Sequence, residues 1–193
     1  MITWQIKRFS QLTTLQLYQM LKLRVDVFVV EQQCAYAELD DKDHHQGVYH
    51  LLGYQGEVLV ACARLLPQGL SYPSVSIGRV AISETQRGSG LGHQLLKESL
   101  QACDTAWPNE PIELGAQYHL AAFYQQHGFR PMSAMYLEDG IEHIDMKLET
   151  PEPAAPETSS ESTEKNETTL EQYQRYLRNE RWHPVSKSVL VRI

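Results

Sequence analysis

The sequence reads as a mixed α/β (α+β) domain, a mixed central β-sheet flanked by helices, with a flexible C-terminal extension. Two apolar runs, 50–54 and 58–66, are joined only by Gln55-Gly56-Glu57, a connection short enough for a β-hairpin. Downstream, segments of strand period and helix period alternate. With 193 residues and 42% hydrophobic content the chain can bury one sizeable core and still have length for an appendage.

A short apolar segment from Ile2 to Ile6 precedes Ser10 and reads as a strand. Leu12, Leu15, Leu17, Tyr18, Leu21, Val25 and Phe28 then recur at helical spacing, predicting an amphipathic helix. Between Cys34 and Gly47 lies ELDDKDHHQG, whose acidic and turn-forming residues match neither period, so a solvated, mobile loop is expected. The two hairpin runs follow, and Val75 to Ile82 (VSIGRVAI) alternates as another strand, with Gly78 marking a bulge or a close backbone approach. Leu91, Leu95, Leu96 and Leu100 keep helical spacing in a long buried helix reaching Cys103, with Pro108 beyond its end. Pro111 to Ala116 reads as a strand, His119 to His127 as a helix stopped by Gly128, and Phe129 onward as returning strand structure.

Between Leu148 and Leu170 no large apolar residue occurs, and ETPEPAAPETSSESTEKNETT cannot bury enough surface to offset its ordering entropy. Residues 1–149 are therefore expected to form the folded domain, 150–169 a disordered acidic linker with a reach of ~25 Å, and 170–193 a helical and apolar C-terminal segment. Leu170, Tyr173 and Leu177 share one helical face there, ahead of Trp182 and Pro184. So short a helix is marginal alone in water, so docking on the domain, recognition of a partner, a second copy included, and an unstructured end are all open.

A formal net charge of -7 argues against a nucleic-acid partner, because phosphate binding needs a clustered positive field. The first residues lack an apolar core of signal-peptide length, and no stretch reaches the roughly 20 apolar residues that span a bilayer, so no membrane partner and a cytoplasmic location are expected. Cys34, Cys62 and Cys103 are odd in number and without CxxC spacing, which points to reduced, packed thiols. Asp40, Asp41, Asp43, His44 and His45 lack the glycine and terminal glutamate of a calcium loop, and no metal is expected. Their charge would favour a cationic amine.

The strongest chemical signal is Gln86-Arg87-Gly88-Ser89-Gly90-Leu91-Gly92, set between a strand and a long helix. Glycines let several backbone N–H groups converge on an anion, and the helix N-terminus adds partial positive charge. A dinucleotide fingerprint would need glycine at His93, and a P-loop would need a Gly-Lys-Ser/Thr run, so neither fits.

Arg87-x-x-Gly90-x-Gly92 resembles the acetyl-CoA signature of the GNAT superfamily, and Phe123-Tyr124-Gln-Gln-His-Gly128-Phe129 resembles its aromatic helix followed by Gly-Phe. LRVDVFVVEQ at 23–32, IGRVAI at 77–82 and LGAQYHLAAFYQQHGF at 114–129 are similar to the ElaA family within it. The resemblance covers Ile2 to about Glu149 and leaves out the linker and tail. It implies a GNAT fold and acetyl-CoA as cosubstrate. Backbone at Val80, Ala81 and Ile82 would pair with pantetheine, amides of Arg87, Gly88, Ser89, Gly90, Leu91 and Gly92 would hold the diphosphate, and Phe123 would lie beside the cofactor.

An amide of Val80 or Ala81 would polarise the thioester carbonyl, and Tyr124 would protonate the leaving thiolate. Many relatives carry a glutamate base on the bulged strand, whereas Ser76, Gly78 and Arg79 stand here, so the base does not transfer. Glu31 is the candidate in its place, contacting the amine directly or through water, with a surface salt bridge as its other reading; His119 is a second candidate. Gln117 and His119 would border the acceptor pocket or serve as capping groups. Arg24 and Arg79 read as buried charge-assisted anchors. The function implied is acetyl transfer to a primary amine, small molecule or protein. A noncatalytic acyl-CoA sensor signalling through the C-terminal segment is the alternative, and a tail that recruits a protein acceptor is a third.

Overall fold

The computed structural model describes residues 1–150, and the expected acidic linker and C-terminal segment lie outside these residues, apart from position 150. Strand β1 (Ile2–Arg8) leads through a 3-10 turn at Phe9–Gln11 to helix α1 (Thr14–Val25). Thr13 is the N-cap of this helix. Its hydroxyl accepts from the Gln16 amide at 3.2 Å while Gln16 Oε1 accepts from the Thr13 amide at 3.0 Å, a reciprocal cap. The periodic pattern up to Phe28 is helical throughout, but from Asp26 to Glu31 the backbone widens into a π-helix that buries Val27 and Phe28.

Strands β2 (Tyr49–Gln55) and β3 (Val58–Leu66) form the expected antiparallel hairpin, with Gly56 at φ +62 taking the left-handed turn position. Strand β4 (Val75–Ile82) is antiparallel to β3. Helix α2 (Leu91–Ala106) crosses over to β5 (Ile112–Gln117), which is parallel to β4. A 3-10 turn at Tyr118–Leu120 and a short α3 (Ala121–Gln125) replace the single helix expected from His119 to His127, and Gly128 at φ +89 ends it. Strands β6 (Arg130–Pro131) and β7 (Tyr136–Glu138) both pair with β8 (Ile141–Leu148), itself antiparallel to β5. The 8-stranded sheet runs β1-β2-β3-β4-β5-β8-β6, with β7 on β8.

Side-chain alternation divides the core. Leu51, Leu65, Val75, Ile77, Val80, Ile82, Leu114 and Ile144 pack with α2, Tyr124 and Phe129 on one face. Leu52, Cys62 and Ala81 pack under α1 and the π-helix on the other. The alternation 75, 77 would send residue 79 into the apolar α2 face. Gly78 pairs with Arg64 and Ala81 with Cys62, so β4 carries one extra residue there, a bulge at Arg79 and Val80. The left-handed conformation falls on Arg79 (φ +51) rather than on Gly78. This turns Arg79 to the α1 face and returns Val80 and Ile82 to the core.

The stretch from Cys34 to Gly47 corrects the sequence reading of a solvated loop. Glu38, Asp40 and Asp43 are buried against three buried arginines, Arg24 of α1, Arg64 of β3 and Arg79 of β4. Arg24 pairs with Glu38 and, at 2.7 Å, with Asp43; Arg64 reaches Asp40 at 2.6 Å and Asp43 at 3.0 Å; Arg79 reaches Glu38 at 2.8 Å and Asp40 at 3.3 Å. Three charges of each sign offset one another, which permits burial and removes the negative field expected at an acceptor entrance. Arg24 and Arg79 are buried charge-assisted anchors, as the sequence suggested. Cys34, Cys62 and Cys103 are free and buried.

Candidate active site

Strands β4 and β5 are bonded only at Val75↔Ile112 and Ser76↔Glu113. Beyond these pairs β4 keeps β3 and parts from β5, leaving the β5-facing edge of β4 from Ile77 to Ile82 without a strand partner among the described residues. Val80, Ala81 and Ile82 form the far end of that edge, directly after the bulge. Their side chains are buried, so backbone N–H and C=O groups are what β4 offers to the gap.

The chain then makes a 3-10 turn at Glu84–Gln86 and passes through Arg87-Gly88-Ser89-Gly90 into α2. Gly88 (φ +71) and Gly90 (φ +84) take left-handed conformations facing open space. Among the described residues no side chain caps α2, so the amides of its first turn, Leu91, Gly92 and His93, stand at the positive end of the helix without one. Ser89 Oγ donates to the Gln86 carbonyl at 2.7 Å and braces the turn. The Arg87 side chain is committed within the protein: it donates to both oxygens of Glu31 at 2.8 and 2.7 Å and to the Ile82 carbonyl at 3.3 and 3.1 Å. The hydrogen bond to Glu31 raises its pKa, against a smaller opposing effect of burial.

Tyr124 is fully buried, edge-on to Phe123 at 5.1 Å and to Phe129 at 5.8 Å. Its Oη has no hydrogen-bond partner among the described residues. Burial holds its pKa well above the ordinary phenol value, so the hydroxyl stays protonated. Phe123 is half-buried in a group of rings with His93 at 4.9 Å and His127 at 5.1 Å. His93 Nδ1 and His127 Nε2 lie 2.9 Å apart, and burial, with the His93 charge, lowers the His127 pKa.

On the α1 face, β5 and β8 present polar residues in register: Glu113, Gly115 and Gln117 opposite Lys147, Asp145 and His143. Glu113, Gln117, His143 and Asp145 are all buried. Asp145 accepts from the Tyr72 hydroxyl at 3.0 Å and the Tyr136 hydroxyl at 2.9 Å, directly over Gly115. Gln117 donates to Gln32 Oε1, at the end of the π-helix, at 3.4 Å. His119 is exposed on the turn after β5. Gln117 is thus inside the polar wall, whereas Glu31 is drawn to the glycine turn. Sequence reasoning missed Glu113, His143, Asp145, Tyr72 and Tyr136. For Glu113, His143 and Asp145 the signal was the alternation in IELGAQ and IEHIDMKL, which ordinarily denotes a solvent-facing side.

A family model described as Acetyltransferase (GNAT) domain matches residues 16–150. Protein ElaA of Escherichia coli strain K12 is 46% identical over 149 residues, spanning 77% of this chain and 97% of that protein. The crystal structure of Escherichia coli ElaA superposes with a TM-score of 0.74, covering 77% of this chain and 100% of that one. An acyl-CoA N-acyltransferase from Pseudomonas aeruginosa is 42% identical, with a TM-score of 0.71 over 77% of this chain and 99% of that one. In fold alone, a GNAT family acetyltransferase from Elizabethkingia anophelis with acetyl-CoA bound is similar at 19% identity and a TM-score of 0.51, over 77% of this chain and 97% of that one. No helix among the described residues is long and apolar enough to cross a membrane. The mixed sheet, the parted strands and these relatives together make the chain a member of the GNAT acetyltransferase family, of the ElaA type.

Proposed function

We propose that this protein transfers an acetyl group from acetyl-CoA to a primary amine, of a small molecule or a protein, by direct attack in a ternary complex. The observation that carries this reading is the unpartnered backbone edge of β4 leading into the uncapped N-terminus of α2 at Gly88 and Gly90. Such an edge suits an amide-bearing arm lying alongside it as an added strand, and such a helix end suits a diphosphate. The residues present therefore fit coenzyme A, and the fold relative solved with acetyl-CoA bound supports the same ligand.

Bound acetyl-CoA supplies the activated thioester. Amides of Arg87 to Gly92 would hold the diphosphate, and an amide of Val80 or Ala81 would polarise the thioester carbonyl as negative charge develops on its oxygen. Tyr124 Oη would donate its proton to the departing thiolate; its high pKa keeps that proton available at neutral pH. Phe123 would pack beside the cofactor, and Gln117 and His119 would border the acceptor. Glu31 serves this site through Arg87, as a positioning residue for the turn. Three free, buried thiols suit a reducing cytoplasm.

The test incubates the full chain with acetyl-CoA and with spermidine, lysine or Gly-Lys-Gly peptide, following release of CoA thiol and product mass. Amine-dependent thiol release with the mass gain of one acetyl group supports the reading. Failure to bind CoA in a calorimetric titration overturns it.

A further inference from the structure

The polar wall on the α1 face of β5 and β8 is buried, and most of its members are already engaged. Asp145 receives two tyrosine hydroxyls, Glu113 Oε1 receives Ser74 at 2.6 Å, and Gln117 is bonded to Gln32. His143 differs. Its Nδ1 lies 2.9 Å from the Ile141 carbonyl, which can only accept, so Nδ1 carries the proton and donates it there. That assignment makes Nε2 of the neutral ring a bare lone pair. Nε2 has no hydrogen-bond partner among the described residues although the residue is 0% exposed. A buried acceptor left empty is uncommon and calls for a reason. Gln32 Nε2, whose amide oxygen is held by the Gln117 side chain, is likewise buried without a partner.

The position of His143 supplies that reason. It is the register partner of Gln117, the last residue of β5, at the end where β4 and β5 have parted. Ala116 and Ile144, the adjacent register pair, point to the opposite face and belong to the same core as Tyr124. The lone pair of His143 and the hydroxyl of Tyr124 therefore belong to opposite faces of the sheet, with His143 on β8, across β5 from the gap.

Resting on the acetyl-transfer reading above, we infer that His143 is the catalytic proton acceptor for the attacking amine, with Nε2 receiving the proton directly or through one water. The amine nitrogen bonds to the thioester carbonyl carbon, one N–H proton passes to His143 Nε2, and the carbon–sulfur bond breaks. The thiolate takes the Tyr124 proton, giving amide and CoA thiol. The imidazolium and phenolate left behind are neutralised when a proton returns to Tyr124 from solvent and one leaves His143. The groups facing His143 are Asp145 of its own strand, Asp139, His119 on the turn after β5, and the Tyr136 ring stacked at 6.1 Å. Burial lowers its pKa below the ordinary imidazole value despite the two carboxylates, so the base form is the resting form at neutral pH.

The test has two arms on the full chain. Nitrogen-15 NMR of the histidine rings is expected to find His143 as the neutral Nδ1–H tautomer at pH 7.5, with its Nε2 resonance moving when butylamine is added to the CoA-saturated protein. A protonated His143 at that pH, or an Nε2 signal that CoA and butylamine together leave unmoved, overturns the inference. In the second arm His143→Gln and His143→Asn, checked for fold by circular dichroism, are assayed with the amine that the wild type acetylates. The expected result is a fall in kcat of about 10²-fold or more, an unchanged Kd for CoA, and loss of the acid limb of the pH profile. Turnover within threefold of wild type with the acid limb intact overturns the inference and leaves acetyl transfer standing. A wild type that binds CoA but acetylates no amine refutes the acetyl-transfer reading, and this inference with it.

Discussion

Arg87 grips both carboxylate oxygens of Glu31, at 2.8 and 2.7 Å, and so ties the start of the glycine turn to the end of the π-helix. The same guanidinium holds the Ile82 carbonyl, at the end of β4. One side chain thus sets the angle between the open strand edge and the uncapped helix. Glu31→Gln should weaken CoA binding by about 3–10-fold and cost about 1 kcal/mol of stability, as expected for a partly exposed bidentate pair. Calorimetry measures the first and thermal melting the second. The pH profile of turnover should keep its acid limb, since Glu31 is proposed to anchor Arg87 and not to act as the base.

Tyr124→Phe separates stability from chemistry. The lost hydroxyl has no hydrogen bond to forfeit among the described residues, so its removal should leave stability unchanged or raise it by up to about 1 kcal/mol. Acetyl transfer should fall by about 10²-fold with the Kd for CoA unchanged. Chemical denaturation and a thiol-release assay on the same preparation check both halves.

Gly90→Ala tests the left-handed turn. A Cβ there meets no atom within 4 Å, so the cost is conformational and not steric, about 1–2 kcal/mol. In a domain of this size that corresponds to a melting temperature lower by roughly 2–8 °C. CoA affinity should fall with it, because the amides of the turn lose their alignment.

Acid sensitivity follows from the buried ion network. Burial alone would raise the pKa of Asp43, but Arg24 and Arg64 overcome it and hold the carboxyl well below the usual range; Asp40 is lowered in the same way, chiefly by Arg64. Both groups have folded pKa values below the unfolded value of about 3.9, so the unfolded state binds more protons in acid and their stabilisation is lost as pH falls. Melting temperature should hold from pH 7 to about 5 and drop steeply below about 4. Asp43→Asn should weaken that pH dependence, while leaving Arg24 and Arg64 each short of a partner at every pH and lowering stability by about 3–5 kcal/mol.

Gly115→Ala probes the polar wall. An added Cβ would come within 2.9 Å of the Tyr72 hydroxyl and 3.3 Å of the Tyr136 hydroxyl, which converge on Asp145. The two tyrosines must separate to admit it, at a cost of about 1–3 kcal/mol. Thermal melting measures it, and because Gly115 lies in strand backbone with no positive φ the cost is steric and not one of backbone strain.

Much of the fold was legible. Gly56 between two apolar runs marked the hairpin, Leu91 to Leu100 marked α2, and Gly88 and Gly90 marked the turn whose φ values require glycine. The bulge was half legible. Apolar positions 75 and 77 followed by 80 and 82 already break the two-residue period at Arg79, yet attention fell on Gly78, the residue that adopts a left-handed conformation most cheaply. Arg79 takes it because its guanidinium is bound to Glu38 and Asp40.

What the residues declare locally is periodicity, turn chemistry and the anion-binding loop, because each depends on neighbours a few positions away. The resemblance in 23–32, 77–82 and 114–129 carried the family from the same short stretches. The burial of Glu38, Asp40 and Asp43, the capture of Glu31 by Arg87, and the empty lone pair of His143 arise from residues up to 56 positions apart in the chain, as with Glu31 and Arg87. Whether a charge is solvated or enclosed, and whether an imidazole nitrogen has a partner, is decided by what the fold packs against it. The polar faces of β5 and β8 look like solvent faces in sequence, and packing on the α1 face turned them into a buried wall.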